Sequence, residues 1–262
     1  MKKCYKFIYL IIFVLSVLCM IGCENIDNGV LINPYRVVDK FGVKRNYTLY
    51  LPKNIKESVP MIIYFHGVRS EKFKTIDVLK GYSGSPLIET GLIRFCKIKK
   101  IALLEILPSY SYKFMDVKSH GWSPFVKEID GVEKCIDVVL ENYRIDKNSI
   151  YIAGISAGAV LAHHLANRRP EKYSAILSHS QAYINEKNDL LIPSQNGNKF
   201  GVVFCYTKGD YDNLKELCES SFNIYKKRGY RVIILRNLPP SNHKWSTTSN
   251  GRFWRSLLKV SR

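Results

Sequence analysis

The chain has 262 residues, 46 % of them apolar, enough to bury a full core in one α/β domain of ordinary size. Forty Lys and Arg against 22 Asp and Glu give a formal charge of +18 at pH 7, a surplus that can attract anionic lipid, acidic polysaccharide or nucleic acid. The basic residues are scattered, gathering only in short clusters such as Lys97, Lys99 and Lys100, and no zinc-finger spacing or RNA-binding signature accompanies them, so no nucleic-acid partner is expected.

Residues 1–6 carry Lys2, Lys3 and Lys6, and residues 7–21 (FIYLIIFVLSVLCMI) are an apolar run. These are the charged and hydrophobic regions of a secretory signal. The run falls short of the ~20 residues that a membrane-spanning helix needs. It closes on Met20-Ile21-Gly22-Cys23, which resembles a bacterial lipoprotein signal, with Met20 where Leu is more usual. The resemblance implies that Cys23 is lipidated and becomes the new N-terminus, anchoring the protein to a membrane outside the cytoplasm. The expected organisation is a signal over 1–22, lipidated Cys23 and a polar tether over 23–32, and one folded domain over 33–262. Of seven cysteines, Cys96, Cys135, Cys205 and Cys218 lie beyond the anchor. Export permits disulfides, and four cysteines allow three pairings. Cys205 in a strand-like run and Cys135 in a helix-like one read as buried thiols. None has metal-ligand spacing.

From residue 34 onward strands and helices alternate. Residues 35–39 and 44–51 flank Lys40-Phe41-Gly42 and predict an antiparallel hairpin. Residues 60–65 (PMIIYF) and 100–106 are apolar runs suited to strands buried on both faces. Ile129, Val132, Ile136, Val139 and Leu140 have helical spacing, predicting a helix over 129–143. A strand over 149–153 and a helix over 157–169 follow. Strands at 173–178, 200–206 and 230–236 complete the pattern, with helices near 213–227 and 250–259. Residues 182–199 are polar and irregular, a flap or a surface loop. Such alternation predicts a mostly parallel sheet with helices on both faces.

Gly154-Ile155-Ser156-Ala157-Gly158 matches G-x-S-x-G between an apolar strand and a helix, the context of a nucleophile elbow. A serine on such a tight turn stands clear of the sheet, at the positive end of a helix dipole. Ser156 is therefore the candidate nucleophile. In this arrangement the acid and then the histidine follow the serine along the chain. His66 and His120 precede it. His163 and His164 lie on the following helix, and His179 lacks an evident carboxylate to orient it. His243, in the polar loop PPSNHKWS after the last strand, is the candidate base. Asp210 and Asp212 both follow the strand at 201–206 (GVVFCY). Asp210 is favoured as nearer the strand end, and the other is a turn or helix N-cap residue. Acyl transfer also needs two donors for the developing oxyanion. The backbone N–H of Ala157 follows the nucleophile, and Val68, in the loop His66-Gly67-Val68, is the candidate for the second.

These residues resemble the polyhydroxybutyrate-depolymerase and feruloyl or acetyl-xylan esterase group of α/β-hydrolases. The likeness runs through Tyr50-Leu51-Pro52, Tyr64-Phe65-His66-Gly67, Tyr143-Arg144-Ile145-Asp146, the Ser156 elbow, Pro170-Glu171-Lys172-Tyr173 and His243-Lys244-Trp245. It implies an α/β-hydrolase fold, a Ser156-Asp210-His243 triad, an ester substrate in an acylated polysaccharide or polyester, and no cofactor or metal. Ala159 and Ser241-Asn242 depart from the family's glycines. Trp122, in Gly121-Trp122-Ser123-Pro124-Phe125, matches its tryptophan stretch without the usual cysteine. Trp122, Trp245 and His66 are the candidate substrate-binding side chains, with core or lid packing the alternative for Trp122. A peptidase of the same fold and an inactive glycan-binding lipoprotein are the rival readings.

Overall fold

The computed structural model describes residues 29–40, 42–70, 90–109, 111–114, 117–120, 122, 125–195, 197–240 and 242–261. The predicted signal and Cys23 lie outside them. Among the described residues, no helix is long and apolar enough to cross a membrane.

The main sheet has eight strands in the order β1-β2-β5-β3-β8-β9-β10-β11. β1 (Gly29–Val38) and β2 (Lys44–Pro52) form the antiparallel hairpin at one edge. β2 runs antiparallel to β5 (Ala102–Ile106), and from there on the pairings with β3 (Val59–Phe65), β8 (Ile145–Ile155), β9 (Ala175–His179), β10 (Gly201–Thr207) and β11 (Val232–Leu238) are parallel. This is the expected α/β-hydrolase architecture.

Each central strand is buried on both faces, so its alternate residues feed two separate cores. On one face Met61, Ile63, Phe65, Ile152 and Phe204 pack under α2 (Phe125–Asn142), α3 (Ala157–Arg168) and α4 (Asp212–Lys227). On the other, Ile62, Tyr64, Ala153 and Cys205 pack under α1 (Leu92–Lys99) and α5 (Asn250–Val260). Arg45 on β2 is fully buried, joined to Asp39 at 3.1 Å and to Glu128 of α2, so a charged residue inside the core is paired on both sides.

Several boundaries differ from expectation. β1 starts at Gly29, within the stretch read as tether, because Val30, Leu31 and Ile32 continue the ladder against Leu51, Tyr50 and Leu49. α1 was not foreseen, being only eight residues long between left-handed Gly91 and Lys100. Nor was a small antiparallel sheet of β4 (Arg69–Ser70), β7 (Val117–His120) and β6 (Ser111–Phe114). Residues 182–195 form an anchored surface loop: Ala182 and Ile184 pack on Val160 of α3, and Ile184 O bonds His164 Nε2 at 2.8 Å. Cys96, Cys135, Cys205 and Cys218 are all buried free thiols.

Candidate active site

The candidate residues meet at the carboxyl ends of neighbouring parallel strands, where open sheets of this kind gather ligand-binding groups. β8 ends at Ile155 and α3 begins at Ala157, leaving Ser156 alone to turn the chain. Its φ of 55° and ψ of −126° are a conformation that L residues rarely adopt. The turn closes only without side chains beside it: a Cβ on Gly154 would run into the Gly158 carbonyl, and one on Gly158 into the Phe65 carbonyl. Gly67 lies against Ser156 itself, since a Cβ there would be 3.2 Å from Ser156 Cβ. The loop carrying Val68 is thereby brought to the elbow. Among the described residues, neither the Ala157 nor the Val68 backbone N–H has a backbone carbonyl partner.

Asp210 follows β10, and its carboxylate is fully buried. Oδ1 accepts from His243 Nδ1 at 2.6 Å, while Oδ2 accepts from the Thr207 backbone N–H and from Ser180 Oγ, each at 2.6 Å. Burial opposes ionisation of this group, but the His243, Ser180 and Thr207 donors overcome it and hold the pKa at about 2. An ionised carboxylate only accepts, so Nδ1 carries a proton, and the tautomer this selects for a neutral ring has its lone pair on Nε2. The side chain of His243 is 26 % exposed and its ring lies 5.8 Å from that of Tyr211. The loop before it is tied back to β10 by Thr207 Oγ1 donating to Asn242 O at 2.6 Å.

Ser156 joins this group through the backbone: its N–H donates to His179 O at 2.9 Å, and the next N–H, of Ser180, donates to Cys205 O at 2.7 Å. Among the described residues Ser156 Oγ has no hydrogen-bond partner, so the Asp210–His243 pair is formed while the serine hydroxyl is unattached. Such bonds often close only around substrate.

Asp212 is separate. It opens α4 as its first residue, with Tyr211 at the N-cap position, and its side chain is 92 % exposed beside Lys215 at 3.1 Å. The expectation that the second aspartate serves as N-cap is therefore corrected, since the helix begins one residue earlier than a cap at 212 requires.

The three side chains expected to contact substrate are all buried. Trp122 is buried, its Nε1 donating to His66 O at 2.8 Å and its ring edge-on to Phe65. Trp245 is buried between Tyr64, His179 and Phe253, with Nε1 donating to Asn250 Oδ1 at 2.8 Å. His66 is buried as well, with Nδ1 against its neighbour's carbonyl, Gly67 O. Their polar atoms brace the loops on which Val68 and His243 sit, and none offers an open face to a ligand.

Sequence reasoning missed Ser180 and undervalued His179. Ser180 has one hydroxyl proton, which goes to Asp210, so His179 Nδ1 at 2.7 Å must donate to Ser180 Oγ. Burial pushes the His179 pKa down to about 4, keeping the ring neutral, and it stacks on Trp245 at 5.3 Å. The one available signal was position: His179-Ser180 ends the strand next to Ser156. Among the described residues no group of three or more His, Cys, Asp or Glu is placed to hold a metal ion.

Comparison with known proteins gives the same fold. The Esterase PHB depolymerase family model matches residues 123–193, which include the Ser156 elbow. No curated protein sequence matches the chain. A thermostable esterase superposes with a TM-score of 0.65 at 18 % identity, covering 90 % of this chain, which in turn spans only 64 % of that protein. An S-formylglutathione hydrolase from Staphylococcus aureus gives 0.61 at 12 % identity, covering 88 % of this chain and 99 % of its own. Est1E from Butyrivibrio proteoclasticus gives 0.59 at 14 %, covering 87 % and 100 %.

Proposed function

We propose that the protein is a serine esterase that cleaves carboxylic esters through an acyl-enzyme, with Ser156 as nucleophile, His243 as general base and Asp210 as the orienting acid. The observation that carries this reading is the buried, ionised Asp210 bonded to His243 Nδ1, set at the same sheet end as a strained serine elbow. His243 Nε2 takes the hydroxyl proton, Oγ attacks the ester carbonyl, and the oxyanion is held by the N–H groups of Ala157 and Val68. Asp210 fixes the tautomer and stabilises the imidazolium without itself taking the proton. The protonated His243 then gives its proton to the leaving alcohol. Water, activated by the same imidazole, releases the acid and restores the serine.

The substrate class proposed is an acyl group on a polysaccharide or a polyester bond. The family segment at 123–193 and the esterases that share the fold support it. Residues 1–23 support export and attachment by lipid at Cys23. Release of p-nitrophenol from short-chain esters tests the chemistry. Wild type should turn over, and Ser156→Ala and His243→Ala should each lose roughly 10³-fold or more of kcat. A folded wild type without turnover, or a Ser156→Ala variant that keeps it, overturns the proposal. Acylated xylans and polyhydroxybutyrate offered side by side then separate the substrates.

A further inference from the structure

The parallel strands give the molecule two distinct ends. Ser156, Asp210 and His243 follow the carboxyl ends of β8, β10 and β11, and the starts of the same strands form the opposite end. Along the seven residues of β3 the two are roughly 20 Å apart. The chain enters at the starting end. Gly29 pairs with Pro52, the last residue of β2, and β2 runs antiparallel to β5 with Tyr50 opposite Leu103 near the start of β5.

That end is basic. Lys56 precedes β3, Lys99 and Lys100 precede β5, Lys147 stands in the opening irregularity of β8, and Arg231 precedes β11. Lys259 lies in the last turn of α5, where the next residue's carbonyl abuts Gly201 at the start of β10. All six are exposed, and among the described residues none has an ion-pair partner. The acids at this end are Asp137, Glu57, Glu141, Asp146 and Glu171. Asp137 is matched by Lys172 and Arg169, Glu171 by Arg169, and Asp146 accepts from the Asn148 N–H. Cations in the last turn of a helix answer its dipole, which accounts for Lys99 and Lys259. Lys56 and Arg231 lie before strands and Lys147 within the opening of one, so these three answer no such dipole.

We propose that this basic end docks on an anionic lipid surface and holds the domain with its Ser156 end facing away from the bilayer. Charge favours anionic headgroups, which attract cations within a Debye length of about 8 Å at physiological salt. The occupant is set by chain entry: residues 1–28, which carry the segment proposed for membrane attachment, join the domain at this same end. The inference rests on that attachment and is independent of the ester chemistry.

The test reconstitutes the full-length protein with phosphatidylcholine vesicles, with and without phosphatidylglycerol. Flotation reads the attachment, and amide hydrogen exchange reads the docking. Flotation is expected with both vesicles. Exchange in the β2–β3 loop, the α1–β5 junction and the end of α5 should slow roughly threefold or more only with phosphatidylglycerol. The slowing should vanish in high salt and in a Lys56→Glu, Lys147→Glu, Arg231→Glu variant that still floats and still hydrolyses ester. Exchange that is equal on the two vesicles overturns the proposal, as does equal protection by a soluble acidic polysaccharide. Failure to float on either vesicle overturns the attachment it stands on, whatever the ester turnover.

Discussion

Ser180 Oγ donates to Asp210 Oδ2 at 2.6 Å, opposite the oxygen that faces His243. The serine thus braces the carboxylate from behind, and His179 braces the serine. Ser180→Ala removes a donor to a buried charge and leaves His179 Nδ1–H unpaired, an effect of about 1.5–3 kcal/mol. The expected result is a kcat lower by roughly tenfold or more with KM nearly unchanged, because the loss falls on the imidazolium formed in the transition state. A variant with wild-type kcat contradicts this role.

Asp210→Asn keeps the shape of the site but can present an amide N–H to His243, favouring the wrong tautomer. A kcat loss of about 10⁴-fold is expected, while Asp212→Asn, at an exposed helix start, should change kcat less than about twofold. Steady-state kinetics on the two variants decide which aspartate orients the base. Comparable losses in both would contradict the assignment.

Acid should weaken the fold in two stages. Burial pushes His163 down to about 3 and His179 to about 4, from 6.5 in the unfolded chain. A base with a depressed folded pKa contributes its stability fully above the unfolded value and loses it as pH falls toward the folded one. The loss therefore begins below pH 6.5, at up to about 1.4 kcal/mol per pH unit for each ring. Asp210 adds a second stage as pH falls from 3.8 toward about 2. His163 stacks between Tyr183 and Phe204, so His163→Phe keeps the packing and removes one titrating group. Urea midpoints between pH 7 and 5 should fall less steeply in that variant; equal slopes would refute the assignment.

The elbow glycines have no room for a methyl group. Gly158→Ala forces a Cβ into the Phe65 and His66 carbonyls, which should cost about 3 kcal/mol or more and displace the loop carrying Val68. Thermal unfolding checks the first effect and kcat the second. Trp122→Phe removes the bond to His66 O and should lower stability by about 1–2 kcal/mol with KM unchanged. A large rise in KM would restore the substrate-platform reading.

The parts of the site that depend on local chain geometry were legible. Ser156 announced itself because strand, glycine, serine, glycine and helix follow one another without a gap, and His243 and Asp210 because acid and histidine follow the serine in a fixed order at strand ends. Less legible was anything set by which side of a loop faces the core. Trp122, Trp245 and His66 lie near the site in sequence, yet their rings pack inward and their polar atoms bond the scaffold, a choice made by tertiary packing. Ser180 is a single small residue after an apolar run and carries no pattern. α1 was hidden for a similar reason, as eight residues give too few turns for a period to show.

The central claim is that Ser156 is the nucleophile activated by His243, and covalent labelling tests it most directly. The protein is treated with a fluorophosphonate, digested, and the adduct located by mass spectrometry, beside Ser156→Ala and His243→Ala. The account predicts one adduct, on Ser156 Oγ, absent in the first variant and slowed roughly 10³-fold or more in the second. A folded protein that fails to label, or an adduct on another residue that persists in Ser156→Ala, would contradict it.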